Sequence, residues 1–243
     1  MKIYKFRELT DETKRQRFLP IVLENTVWCA KPDDLNDKDE FRFSLDYTPS
    51  NNTARLLADI ISRYRTTKLL PPQLSAAMVL STGRLQEITA PHVAEIIHQC
   101  RTTIGVTSFS LIKSDNHLWE EYGGLGNGAY VEIDIPDALV GESFHRVHYV
   151  QERVFHIDSF LESALLVENR ITNFKNILLT KTKKWSQEEE IRFIGKRQDV
   201  NFIVDGPITE IGFGPHVTND TYERIMTDIA SHFSDKNISI VRQ

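Results

Sequence analysis

The chain is poor in the features that mark specialised protein classes. It has two cysteines, Cys29 and Cys100, in 243 residues. They lie far apart, each within an apolar stretch, which argues against a disulfide scaffold and for buried free thiols in a reducing compartment. No apolar run approaches the roughly 20 residues of a membrane span. The opening MKIYKFREL has no apolar leader, so a cytoplasmic location with no membrane partner is expected. The eight histidines show no H-x-x-x-H spacing, no C-x-x-C occurs, and no metal site is expected. GGLGNG at Gly123 to Gly128 does not lead from a strand into a helix, so neither dinucleotide-binding nor P-loop geometry is supported. Positive charge is in deficit: 29 Lys and Arg against 34 Asp and Glu give a formal net charge of -5. That argues against a generally basic nucleic-acid binder and leaves room for a local basic groove.

What is present is an ordinary globular composition, 40% hydrophobic and 26% charged, in a chain long enough for a sizeable core. Alternation predicts strands at Ile3–Phe6, Thr26–Ala30, Ile104–Ser110, Gly128–Ile135, Arg146–Val150, Glu188–Lys196, Asn201–Val204, Ile208–Phe213 and Ile238–Val241. Helical spacing predicts helices at Glu12–Glu24 despite Pro20, around Leu56 to Tyr64, at Gln73–Leu80, and at Ala90–Arg101 with Thr89 as cap. Further helices are expected at Ser114–Tyr122, from Ser159 (with a capping-box Glu162) to before Trp185, and at Thr218–Asp235 with Phe233 inward. Strands cluster with strands, so the expectation is one α+β domain over 1–243. It has a mixed, mainly antiparallel sheet, flanking helices and a helical insertion at about 52–101.

Four constellations can carry chemistry. In WSQEEEIRFIG, alternation sends Ile191 and Phe193 to the core and puts Glu188, Glu190 and Arg192 on the opposite face. Two carboxylates beside a guanidinium can shift a carboxyl pKa or orient a sugar hydroxyl, although a charged, solvated strand face is the plainer alternative. Thr107, Ser108 and Ser110 end a strand in hydroxyls, which hold a ligand or bond neighbouring backbone. In NHLWEEYGG, His117, Trp119 and Tyr122 sit on a short helix; the aromatic pair suits stacking on a planar ring, or docking of the helix itself. Finally, Lys5 and Arg7 alternate with Tyr4 and Phe6, near a turn at Asn36-Asp37; an arginine at a strand end binds phosphate bidentately, or guards a sheet edge.

Together these pieces resemble the bacterial DUF 2971 family, a domain of unknown function. The resemblance runs through IYKFR, LNDKDEF, SFS with LWEEYGG, GAYVEID, KKWSQEEEIRFIG and EIGFG, from Ile3 to Gly214. Lys38 and Asp39 depart from it, standing where the family has a proline and an aromatic. A second resemblance is to ADP-ribosyltransferases of the arginine-serine-glutamate type, through the order Arg7, Thr107-Ser108-Phe109-Ser110, Glu188-x-Glu190. It implies NAD as substrate. Arg7 would grip the pyrophosphate, with Tyr4 beside it on the same strand. Ser108 or Ser110 would support the nicotinamide ribose, and Trp119 or Tyr122 would stack on nicotinamide. Glu190 would bond the ribose and stabilise an oxocarbenium-like transition state, Glu188 would position the acceptor, and Arg192 completes the catalytic face.

The leading expectation is therefore an NAD-using ADP-ribosyltransferase-like enzyme, toxin-like or acting in phage defence, with a small nucleotide as ligand; the acceptor, protein or nucleic acid, is left open. Two alternatives stand beside it. One is a non-catalytic nucleotide- or nucleic-acid-binding module using Lys181, Lys183, Lys184, Arg192, Lys196 and Arg197 around Trp185. The other is a metal-dependent phosphodiesterase or nuclease using Glu188, Glu190 and Asp37.

Overall fold

Short alternating segments and longer helical ones succeed each other irregularly in the computed structural model. Residues 1–35, 37, 39–64, 70–165, 174–233 and 238–243 are described, the side chains of 231–233 excepted. The order is β1 (Lys2–Glu8), α1 (Glu12–Glu24), β2 (Thr26–Cys29), β3 (Ser44–Asp46), α2 (Thr53–Tyr64), α3 (Pro72–Ser81), α4 (Leu85–Thr103), β4 (Gly105–Ser110), α5 (Asn116–Glu121), β5 (Gly128–Asp134), β6 (Phe144–Arg146) and β7 (His148–Val150). It continues with β8 (Val154–His156), α6 (Ile157–Leu165), β9 (Thr180–Thr182), β10 (Glu190–Gly195), β11 (Val200–Ile203), β12 (Ile208–Phe213), α7 (Asn219–Phe233) and β13 (Ser239–Arg242). The fold is α+β, with a mixed, mainly antiparallel sheet and flanking helices. The chain divides into two compact units: Met1–Lys31, Ile104–Tyr149 and Lys183–Gln243 form the first, Pro32–Thr103 and Val150–Thr182 the second.

The first unit is built on a seven-stranded sheet in the order β13-β12-β5-β1-β4-β10-β6. Every neighbouring pair is antiparallel except β12 with β13, which α7 connects. Period-two alternation gives this sheet two chemically different faces. Ile3, Phe109, Val131, Ile133, Ile191, Ile211 and Phe213 pack with Phe18, Ile21 and Val22 of α1 and Ile225 and Ile229 of α7. The opposite face carries Tyr4, Phe6 and Tyr130, covered by Leu118 and Trp119 of α5.

Helix α1 forms because its ends are chemically marked. The Asp11 side chain accepts from the Lys14 N–H at 2.9 Å, an N-cap. Asn25 ends the helix in the left-handed region at φ 53, and its amide donates to the Val204 and Gly206 carbonyls at 2.6 and 2.7 Å. The helix runs through Pro20, whose cost is carried by burial of Phe18, Ile21 and Val22 on either side of it. In the second unit, Leu56, Leu57 and Ile60 of α2, Val93, Ile96 and Cys100 of α4, and Phe160, Leu161 and Ala164 of α6 are buried. Both cysteines are buried free thiols, and burial raises each to about 12.

Several element boundaries differ from the sequence expectation. Helix α4 begins at Leu85, so Thr89 lies inside it and its hydroxyl donates to the Leu85 carbonyl at 2.8 Å instead of capping. Helix α6 begins at Ile157, and Ser159 turns its hydroxyl back to the His156 carbonyl at 2.8 Å, so no capping box forms there. The expected strand Arg146–Val150 is interrupted at Val147, whose N–H donates to the Glu190 carbonyl at 3.0 Å. The expected continuation of α6 through 166–173, Asn36 of the Asn36-Asp37 turn and the Phe233 side chain lie outside the described residues.

Candidate functional site

The expected strand Glu188–Lys196 starts two residues late, and the reason shapes the site. Residues Lys183–Glu188 form a 3₁₀ segment, Glu189 takes the left-handed region at φ 42, and only then does β10 begin at Glu190. Glu188 therefore does not reach the shared face by strand alternation. The Leu111 N–H donates to the Glu189 carbonyl at 3.0 Å and the Ser110 hydroxyl donates to the Glu188 carbonyl at 2.7 Å. Together they clamp this bend to the end of β4.

The three charged residues are buried, which rules out a solvated strand face: Glu188 is 2% exposed, Glu190 4% and Arg192 1%. Glu190 and Arg192 form a two-point ion pair, with Arg192 Nε donating to Glu190 Oε1 at 2.7 Å and Nη2 to Oε2 at 3.1 Å. The Glu190 N–H donates to the Tyr149 hydroxyl at 2.8 Å. Glu188 is held differently. Tyr122 Oη donates to Glu188 Oε1 at 2.6 Å, and His117 Nε2 lies 3.7 Å from the same oxygen, buried and without a hydrogen bond. Burial first, and the Glu188 charge second, raise the Tyr122 phenol far above its ordinary range, so it stays a donor. The His117 side chain is 20% exposed. Its ring lies 6.0 Å from that of Trp185, which is only partly buried and carries Lys184 Nζ 5.2 Å above it.

Strand register decides which other expected residues join this group. Ser110 pairs with both Tyr4 and Glu190, and Ser108 pairs with Arg192, so Tyr4, Ser108, Ser110, Glu190 and Arg192 share one face. Arg7 has odd parity on β1 and lies on the other face with Lys5 and Ile3, which packs against the α1 core. The expected convergence of Arg7, Ser108 and Glu190 on one cleft does not occur, and the cause is one position of register. Ser110 uses its hydroxyl structurally, donating to Glu188 and accepting from the Ile112 N–H at 3.0 Å. Tyr4 belongs to a neighbouring network: its ring stands edge-on to Tyr130, and burial followed by a hydrogen bond to Glu132 pushes its phenol up to about 12.

The stacking expectation is corrected for Trp119. It is 8% exposed, meets Phe6 edge-on at 5.0 Å, and touches Gly123 and Gly214 so closely that a Cβ on Gly123 would stand 2.5 Å from its ring. It is a core residue, fixed between glycines. The expected basic run is also broken up. Lys181 is buried and Arg192 is consumed by Glu190, while Lys183, Lys184, Lys196 and Arg197 are exposed. Asp37 belongs to the second unit, and among the described residues no three His, Cys, Asp or Glu side chains gather as a metal site.

Sequence reasoning did not anticipate Tyr149, which has no local signature, nor the pairing of His117 with Glu188. The second had a signal: a histidine two residues past an Asp115 helix cap is aimed by that cap, which accepts from the His117 N–H at 2.7 Å. Compared with known proteins, the chain matches no protein-family model, no curated protein and no solved structure.

Proposed function

We propose that Glu188, His117 and Tyr122 form a general acid–base centre, and that the enzyme cleaves the nicotinamide–ribose bond of NAD and transfers the ADP-ribosyl group. The observation that carries this reading is the buried Glu188 carboxylate, held at 2.6 Å by Tyr122 and 3.7 Å from a partly exposed histidine. The Glu190 carboxylate is neutralised by the Arg192 guanidinium, as a structural carboxylate is. Tyr122 and His117 meet the same oxygen of Glu188, and acid–base catalysis needs donor and acceptor groups within such reach of each other.

The roles of the two glutamates are exchanged relative to the expectation. Both oxygens of Glu190 are occupied by Arg192, so Glu190 braces the site. Glu188 faces the ribose. As the C–N bond breaks, its electron pair leaves with nicotinamide, and the carboxylate stabilises the positive charge growing on the ribose. The acceptor oxygen then bonds to the anomeric carbon, and its proton passes to Glu188 and on through His117. Trp185, beside His117, is the stacking platform in place of Trp119, and the exposed Lys183 and Lys184 on the same turn supply positive charge for the diphosphate. The test is nicotinamide release from NAD by wild type and by Glu188→Gln, which keeps an acceptor for Tyr122. The expected loss is about 100-fold or more. A wild type that releases no more nicotinamide than Glu188→Gln ends this reading.

A further inference from the structure

On the opposite face of the sheet, the cations Lys5 and Arg7 stand two residues apart on β1. Lys5 is 8% exposed, and its ammonium donates to Thr107 Oγ1 at 3.1 Å and to the Ser108 carbonyl at 2.5 Å, both neutral acceptors. It also stands 5.3 Å from the centre of the Phe109 ring. Arg7, two residues on and so on the same face, is partly exposed, but its Nε is buried and has no hydrogen-bond partner. Among the described residues neither cation forms an ion pair. The nearby Glu8 is engaged by Lys14 and Thr10. The charges that act on Lys5 are Arg7, Glu190 from the other face, and the Cys29 thiol; the one that acts on Arg7 is Arg17 of α1, another cation.

Such an arrangement is costly by itself. A buried cation without an anionic partner loses several kcal/mol of hydration, and a second cation nearby adds repulsion. A loop can tolerate an orphan charge by swinging it into water, but β1 is paired with β5 along its whole length, Lys5 with Val131 and Arg7 with Ala129, and that fixes the backbone carrying these two. We propose that Arg7 and Lys5 form a binding site for a phosphoryl group, a site distinct from the Glu188 centre and independent of its reading. A phosphate monoester carries close to two negative charges, matching two cations. A guanidinium at a strand end offers it two parallel donors. The partial exposure of Arg7 provides the entry, and Lys5, already oriented by Thr107, closes on a third oxygen. Burial holds Lys5 well below its usual range and Arg7 down to about 10, the strain that a bound anion relieves.

The experiment uses the whole chain, with inorganic phosphate titrated against sodium chloride at constant ionic strength while Tm is followed. The expected result is a saturable rise of roughly 3–6 °C at a phosphate concentration tenfold above Kd. Arg7→Met should lose the response and, in chloride, melt no lower than wild type, because it deletes an uncompensated charge. Arg7→Lys, which keeps charge and fold but not the two-donor fork, should weaken phosphate binding about tenfold. Glu188→Gln should retain the full response, which separates this site from the catalytic one. A nucleoside monophosphate in place of phosphate distinguishes the source of the phosphoryl group by its lower Kd. No saturable rise in wild type, or an undiminished one in Arg7→Met or Arg7→Lys, overturns the proposal.

Discussion

Glu188 and Glu190 are two residues apart and lie in different chemical worlds. Glu190 is one half of a buried ion pair; removing its charge takes a two-point carboxylate partner from Arg192, which is 1% exposed. Glu190→Gln should therefore cost about 3 kcal/mol, seen as a Tm roughly 6–12 °C lower. Glu188→Gln should melt within about 1 kcal/mol of wild type, because the amide oxygen of the substituted side chain still accepts from Tyr122. The two variants thus separate stability from activity in one melting experiment and one assay. The Tyr122 phenol is raised above its ordinary value in the folded state, chiefly by burial. The unfolded phenol ionises near pH 10, so the folded chain holds its proton longer and stability falls as pH rises beyond about 10. Lys5 has the opposite shift: its folded value is depressed, so its burial is most costly at low pH and the cost fades as pH rises to about 10.4. The stability of Lys5→Met relative to wild type should accordingly decline between neutral pH and that limit in denaturant titrations. Of these residues, the importance of WSQEEEIR was legible from charge next to alternation. The burial of its charges was not, because a charged strand face reads the same whether water or protein covers it.

At the scale of elements, turn and cap chemistry was the most legible layer. Asp11 and Asn25 bracket α1 through side chains whose function is local, and the helix expected from Glu12 to Glu24 is the helix formed. Asp11→Ala should cost about 1 kcal/mol, read as a Tm lower by roughly 2–4 °C. Asn25→Ala should cost more, because it loses both carbonyl contacts and leaves a residue without a local side-chain hydrogen bond in the left-handed region. Elements whose ends depend on distant partners were misjudged. The start of β10 is set by Glu189 at positive φ, held by Leu111 from another segment. The break at Val147 is set by the Glu190 carbonyl. Neither has a local signal, and a single left-handed residue was enough to take Glu188 out of the alternation.

At the scale of the molecule, the α+β class was legible because clustering of strands is a property of order along the chain, whereas the pairing order of the sheet is not. The second unit has its own buried helices, with Leu57 2% exposed among them. Leu57→Ala should cost about 2–5 kcal/mol, and hydrogen exchange should show the loss of protection first in α2, α4 and α6. The pairing order has a consequence for synthesis. Strand β4 is flanked in the sheet by β1 and β10, yet the whole stretch from Leu111 to Glu189 separates β4 from β10, and it includes part of the second unit. While the ribosome works through that span, the edge of β4 that β10 will cover stays open, with Phe109 and the hydroxyls of Thr107, Ser108 and Ser110 along it. A nascent chain halted before Glu190 presents that edge to any other strand. Its aggregation, and its relief once Glu190–Gly195 emerge, can be timed with stalled ribosome complexes of increasing length.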